Sequence, residues 1–136
     1  MIDQLNSIIS RFQNLVEFGA CDLKNKVQYD NARFTQPDGI WVRLAVLTSE
    51  TLQWELGSEA TERTEGIAIA SIFIPWEKAL KNANEIAIEI RSHFNRISVD
   101  GVTYRTPSAP QNLGRVDEFF QVNVSIPFFI DEVVVI

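Results

Sequence analysis

The sequence predicts an α+β domain, a mostly antiparallel β-sheet with two amphipathic helices packed on one face. Three observations lead there. Two segments repeat apolar residues at helical spacing, several others alternate with a period of two, and the order along the chain is helix, strands, helix, strands. The 136 residues match one ordinary domain, and 46% hydrophobic content is enough for a packed core.

The first helix is expected from Asp3 to Glu17. Ile2, Leu5, Ile8, Ile9, Phe12, Leu15 and Val16 form one stripe, with Asp3 as N-cap and Gly19 as the stop. The stretch "CDLKNKVQYDNARFTQPDG" reads as extended or loop structure that closes on a Pro37-Asp38-Gly39 turn. "IWVRLAVLT" then alternates as a strand. It places Val42, Leu44 and Val46 on one face and Trp41, Arg43, Ala45 and Leu47 on the other. "TLQWEL" is a second strand, with Leu52, Trp54 and Leu56 in phase. Between Gly57 and Gly66 lies "SEATERTE", expected as a mobile acidic hairpin loop carrying Glu59, Glu62 and Glu65.

"GIAIASIFIPW" is the next strand, and it poses a problem. Ile67, Ile69 and Phe73 share one face, Ala68, Ala70, Ile72 and Ile74 the other, and neither face carries a charge. A sheet with one wet face alternates apolar and polar residues. Two helices blanket one face of a sheet; the other needs a cover. The second helix follows, with Pro75 in its first turn and a stripe of Trp76, Ala79, Leu80, Ala83, Ala87, Ile90 and Phe94, Ile86 at its edge. Ile88 falls outside the stripe and is expected to be exposed on a lone subunit. "RISVDGVTYRT" contains an Asp100-Gly101 hairpin turn. "PSAPQNLG" reads as a loop, and "EFFQVNVSIPFF" as a strand that bends or becomes an edge at Pro127. The final "FFIDEVVVI" is unusually apolar.

Chemistry is hard to find in these residues. One cysteine, Cys21, excludes an internal disulfide, and one Cys with one His falls short of the roughly four ligands zinc needs. There is no glycine-rich phosphate loop, no His-Glu-x-x-His and no serine elbow. His93 lies one turn after Glu89 and reads as a solvated surface pair rather than a base, since no nucleophile accompanies it. Glu85 and Glu89 share a helix face with Lys81 and Arg91 nearby, a charged wet face rather than a cation site. Hence no catalytic residue, no metal ligand and no cofactor is assigned. No apolar run reaches the roughly 18 residues of a membrane helix, and the N-terminus does not resemble a secretory signal, so a soluble cytoplasmic product is expected. Twelve basic and 18 acidic residues give a net charge of −6, which argues against wrapping nucleic acid but suits a passage through which DNA slides. Trp and Arg together are enriched at interface centres. Trp41, Arg43, Leu47, Trp54 and Ile88 are therefore the candidates for a subunit interface, and Glu59, Glu62 and Glu65 for an acidic segment facing a lumen or a partner.

Several stretches also resemble a known family. "YDNARFTQPDGIWVRLAVL", a Gln-bearing strand ending in "LG", "RTEGIAIASIFIPW", a helix ending in "IRSHF", and "FFQVNVSIPFF" followed by "DE" occur in one order, from about Tyr29 to Glu132. That succession resembles the tail terminator proteins of long-tailed bacteriophages. The resemblance implies a single domain over 1–136, two helices against a sheet, and no enzymatic activity. It implies a homo-oligomeric ring, commonly a hexamer, on the head-proximal end of the tail tube, in a virion assembled in the bacterial cytoplasm from a phage or prophage genome. The implied partners are the tail tube protein and the head–tail connector protein, with DNA passing through the lumen and no sequence-specific contact to it. The apolar second sheet face would then be partly subunit interface. Tyr29, Asp30, Asn31, Trp41 and Arg43 match the pattern and take a structural or interface role. The ending "DEVVVI" departs from it. The rival readings are another neck or head–tail joining protein and, in a different class, a small ligand-binding or hydrolytic dimer.

Overall fold

The computed structural model describes residues 2–19, 23–29, 37, 39–53, 59–75, 80–116 and 118–135. Cys21, Asp38 of the Pro-Asp-Gly turn, Trp54, Gly57 and Trp76 lie outside the described residues. The elements are α1 (Ile2–Phe18), β1 (Val27–Tyr29), β2 (Trp41–Gln53), β3 (Glu59–Pro75), α2 (Leu80–Phe94), β4 (Ser98–Val99), β5 (Val102–Tyr104), β6 (Gln111–Val116) and β7 (Phe119–Val135). They build one seven-stranded sheet in the order β1-β2-β3-β7-β5-β4, with β6 also paired to β7. Only the β1–β2 pair is parallel. This is the α+β, mostly antiparallel architecture that the element order predicts.

One face of the sheet is the core. Val42 and Leu44 of β2, Ala68, Ala70, Ile72 and Ile74 of β3, and Val122, Val124, Ile126, Phe128 and Ile130 of β7 are buried there. The period of two aligns them across the unbroken β3–β7 register, Ala68 opposite Ile126 and Ile72 opposite Val122. The same core takes Ile8, Phe12 and Leu15 from α1 and Ala83, Ile86, Ala87, Ile90 and Phe94 from α2. Phe94 joins the layers, stacked against Phe12 at 6.2 Å and edge-on to Tyr104 at 5.2 Å. Gly19 ends α1 as expected, its N–H bonding the Leu15 carbonyl at 2.7 Å. Asp3 lies inside the first turn rather than before it. In the β4–β5 hairpin, Asp100 and Gly101 have φ of 53° and 80°, the double left-handed geometry of a two-residue turn.

Five expectations are corrected. The strand at Trp41 and the one at Thr51 are a single strand, β2, with an irregularity between Thr48 and Thr51. The acidic hairpin loop is strand from Glu59 onward: Glu59, Glu62 and Glu65 all belong to β3, between β2 on one side and β7 on the other. Its polar composition reads as loop because β7, the partner on its other side, lies far away in the chain. Pro75 ends β3 opposite Phe119 instead of opening the second helix, and Pro127 sits inside β7 opposite Ile67. Both prolines occupy positions where a missing N–H breaks no ladder bond. Alternation turns Pro75 toward β2, past its first residue, Trp41, which pairs with Phe73. Pro127 turns away from β3, and its carbonyl accepts the Arg105 N–H at 2.9 Å. Finally, Gln111–Gly114 of the expected loop belong to β6.

Candidate functional site

The second face of the sheet is built from the odd-numbered residues of β2, β3 and β7. The ladder arranges them in rows: Leu47–Ile67–Pro127, Ala45–Ile69–Ser125, Arg43–Ser71–Asn123 and Trp41–Phe73–Gln121. Among the described residues no helix covers them, since both helices contribute to the core on the even-numbered face; Trp41, Ser71 and Phe73 are nevertheless buried, and Arg43 and Leu47 are exposed. Trp41, 8% exposed, lies flat on Phe73 with ring centroids 4.2 Å apart and 13° between planes, and Phe119 meets it edge-on at 6.3 Å. The Arg43 guanidinium stands 5.5 Å over the Phe73 ring. Leu47 is 54% exposed, a large apolar side chain facing water beside Ile67.

Beyond Leu47 the strands continue as a ribbon of Thr51–Gln53, Glu59–Glu65 and Phe129–Val135. At its base, on the same face, Phe129 is held between two guanidinium groups. Arg63 lies 4.0 Å and Arg105 5.0 Å from its ring centroid. Each cation also has a carboxylate. Arg63 grips Asp131 through two bonds of 2.7 and 2.8 Å, and Arg105 reaches Glu65 at 3.0 Å. The Arg63 guanidinium holds the Asp131 carboxyl below its ordinary range. Both pairs face water, so their worth lies in orientation more than in stability. A cavity of about 350 Å³ opens beside them, lined by Leu47, Ser49, Glu65, Ile67, Arg105 and Pro127 among others.

The predicted site residues divide between two places. Trp41, Arg43 and Leu47 share the second sheet face. Ile88, 57% exposed, lies on α2, which buries Ala87 and Ile90 on the opposite side of the sheet. Trp54 is outside the described residues. The three glutamates do not form one surface. Glu65 alternates with the Arg63 side and is paired with Arg105, whereas Glu62 alternates to the core-side face, opposite Glu132. Sequence reasoning missed Phe129, Asp131, Arg63 and Arg105. The alternation Phe129, Asp131, Val133 was readable, but no local signal sets Asp131 against Arg63.

His93 also differs from its reading as a solvated pair with Glu89. It is half-buried, and its Nε2–H donates to the Arg11 carbonyl at 3.0 Å. In return Arg11 Nε donates to the His93 carbonyl at 3.1 Å, capping the end of α2. Burial, and then the Arg11 charge, push the imidazole below its ordinary pKa. Asn14, Glu89, Ser92 and His93 line a second cavity of about 300 Å³ between the helices. The His93 Nε2–H is committed to a backbone carbonyl there. Among the described residues no three His, Cys, Asp or Glu side chains are grouped to hold a metal ion, and no helix is long and apolar enough to cross a membrane. The second face thus combines apolar rows, an Arg over an aromatic ring, and a charged rim.

The sequence pattern of the family described as phage tail terminator protein matches residues 10–128. No curated protein matches. Seven chains of solved structures do. One of them superposes with a TM-score of 0.63 over 93% of this chain and 94% of its own, at 18% identity, a likeness of fold alone. With the family pattern spanning most of its length, from the first helix through the central strand β7, this chain belongs to the phage tail terminator family, whose proteins are structural components of phage tails.

Proposed function

We propose that this protein caps the head-proximal end of the tail tube as a closed ring, stops tube polymerisation and forms the surface on which the head joins. The observation that carries the reading is the partly exposed second sheet face, with Leu47 and Arg43 open to water on it, in a chain of this family. A second exposed apolar residue, Ile88, lies on the other side of the subunit. Two different patches on opposite sides suit a head-to-tail contact, which closes into a ring and leaves no lateral edge to extend. The ring is a hexamer on the tube tip, with the tail tube protein below and the head–tail connector protein above, assembled in the host cytoplasm. DNA passes through its lumen without sequence-specific contact. The net charge of −6 suits that passage, and the Glu62–Glu132 strip of the ribbon is its acidic lining.

Electron microscopy of particles produced without this protein tests the reading. Overlong tail tubes identify a terminator. Tubes of normal length that lack attached heads identify a joining protein of the neck instead.

A further inference from the structure

The ribbon leaves one strand edge open. Backbone groups alternate direction along a strand, and the β3–β7 register runs without a shift from Pro75–Phe119 to Glu59–Val135. The odd-numbered residues of β7 point away from β3. Ser125 accepts the Ser108 N–H at 2.8 Å and Pro127 accepts the Arg105 N–H at 2.9 Å, and Phe129 pairs with Thr103 of β5. β5 pairs no further than Ile130. Past Asp131, which the Val102–Ile130 pairing still sets against Gly101, the outward N–H and C=O groups of Val133 and Val135 meet no strand among the described residues. Val133 is 68% exposed, and "VVV" brings neither lysine, proline nor glycine to blunt the edge.

The opposite border of the sheet is β1. The Lys26 carbonyl accepts the Val42 N–H at 2.8 Å, which turns the groups of Val27 and Tyr29 outward, where no strand pairs with them among the described residues. The two borders lie at opposite sides of one sheet, so each copy that joins through one leaves the other available.

We infer that the outer edge of β7 at 133–135 adds, as a β-strand pairing, to the outer edge of β1 in a second copy of this chain. This deepens the proposed ring, on which it rests, by adding a main-chain pairing between neighbouring subunits. The exposed side chain of Val133 then contacts the neighbour, while main-chain bonds set the register.

Hydrogen exchange at single-residue resolution on free subunits and on subunits assembled on tube ends provides the test. In the free chain the Val134 amide, turned toward β3, is protected, and the Val133 and Val135 amides exchange fast. In the assembled state Val133, Val135, Val27 and Tyr29 all slow by at least tenfold. A Val133→Pro variant, which removes one outward N–H and no bond to β3, keeps the melting curve of the parent and loses ring formation. Rings whose Val133 and Val135 amides still exchange fast overturn this inference and leave the ring standing. Protection at β7 without protection at β1 overturns the second copy as occupant. Absence of any ring on tube ends overturns both readings.

Discussion

Gly66→Ala is the sharpest test of how the ribbon joins the core. Gly66 faces the core side of β3, directly opposite Phe128 in the ladder. A Cβ added there stands 2.5 Å from Phe128 Cζ and 2.6 Å from the Leu47 carbonyl oxygen. Ordinary carbon contacts begin near 3.5 Å, so about 1 Å of overlap must be relieved in two directions. The Phe128 ring is 1% exposed and packed into the core, and the Leu47 oxygen belongs to the β2 ladder. Neither moves freely. Overpacking of this kind costs about 1–3 kcal/mol, and a backbone oxygen on one side puts the substitution in the upper part of that range. Urea denaturation of the isolated subunit measures it. Adding Phe128→Leu shortens the side chain and relieves only the ring contact, so the double variant is less destabilised than the sum of the two single ones, a coupling of at least about 0.5 kcal/mol. A Gly66→Ala cost below about 0.5 kcal/mol, or strict additivity with Phe128→Leu, refutes the crossing of the ring over the glycine.

Three further outcomes are expected. Ile90→Ala opens a cavity at a fully buried position of α2 and costs about 2–5 kcal/mol by denaturant melts; a loss under about 0.5 kcal/mol contradicts the burial of that helix face. His93 titrates below its ordinary 6.5 when folded, so its contribution is complete above pH 6.5 and is lost as pH falls through the depressed folded value. The facing groups are Arg11, which lowers the value, and Glu89, which opposes it, and His93→Gln flattens this part of the stability–pH curve. Ile88→Asp and Arg43→Glu each leave the melting curve unchanged and abolish tube capping; normal capping by both removes these patches from the interface.

The helices, the first part of β2 and the Asp100-Gly101 turn were legible because their signals are local: a stripe at helical spacing, a period-two run, two residues that tolerate positive φ. The ribbon was not. Its stretch of β3 carries Glu59, Glu62, Arg63 and Glu65, a composition that alone reads as loop. What makes it strand is its pairing with β7, including Arg63 against Asp131, 68 residues away. The two prolines misled for a related reason. Proline's cost in a sheet depends on which side its nitrogen faces, and that is fixed by partners the sequence does not name. His93 looked like half of a Glu89 pair because helix spacing shows i,i+4 neighbours and not the Arg11 carbonyl on another helix. That the second face carries an apolar row was legible from the start, since Ile67, Ile69 and Phe73 share it in "GIAIASIFI".

Growth of tail tubes in the presence of purified protein tests the central claim most directly. Tube protein is allowed to polymerise, this protein is added at increasing concentration, and tube lengths and ends are imaged by electron microscopy. The account predicts that elongation stops on addition and that arrested ends carry one closed ring each. Tubes that keep lengthening at saturating protein, or protein bound along their sides with bare ends, contradict it.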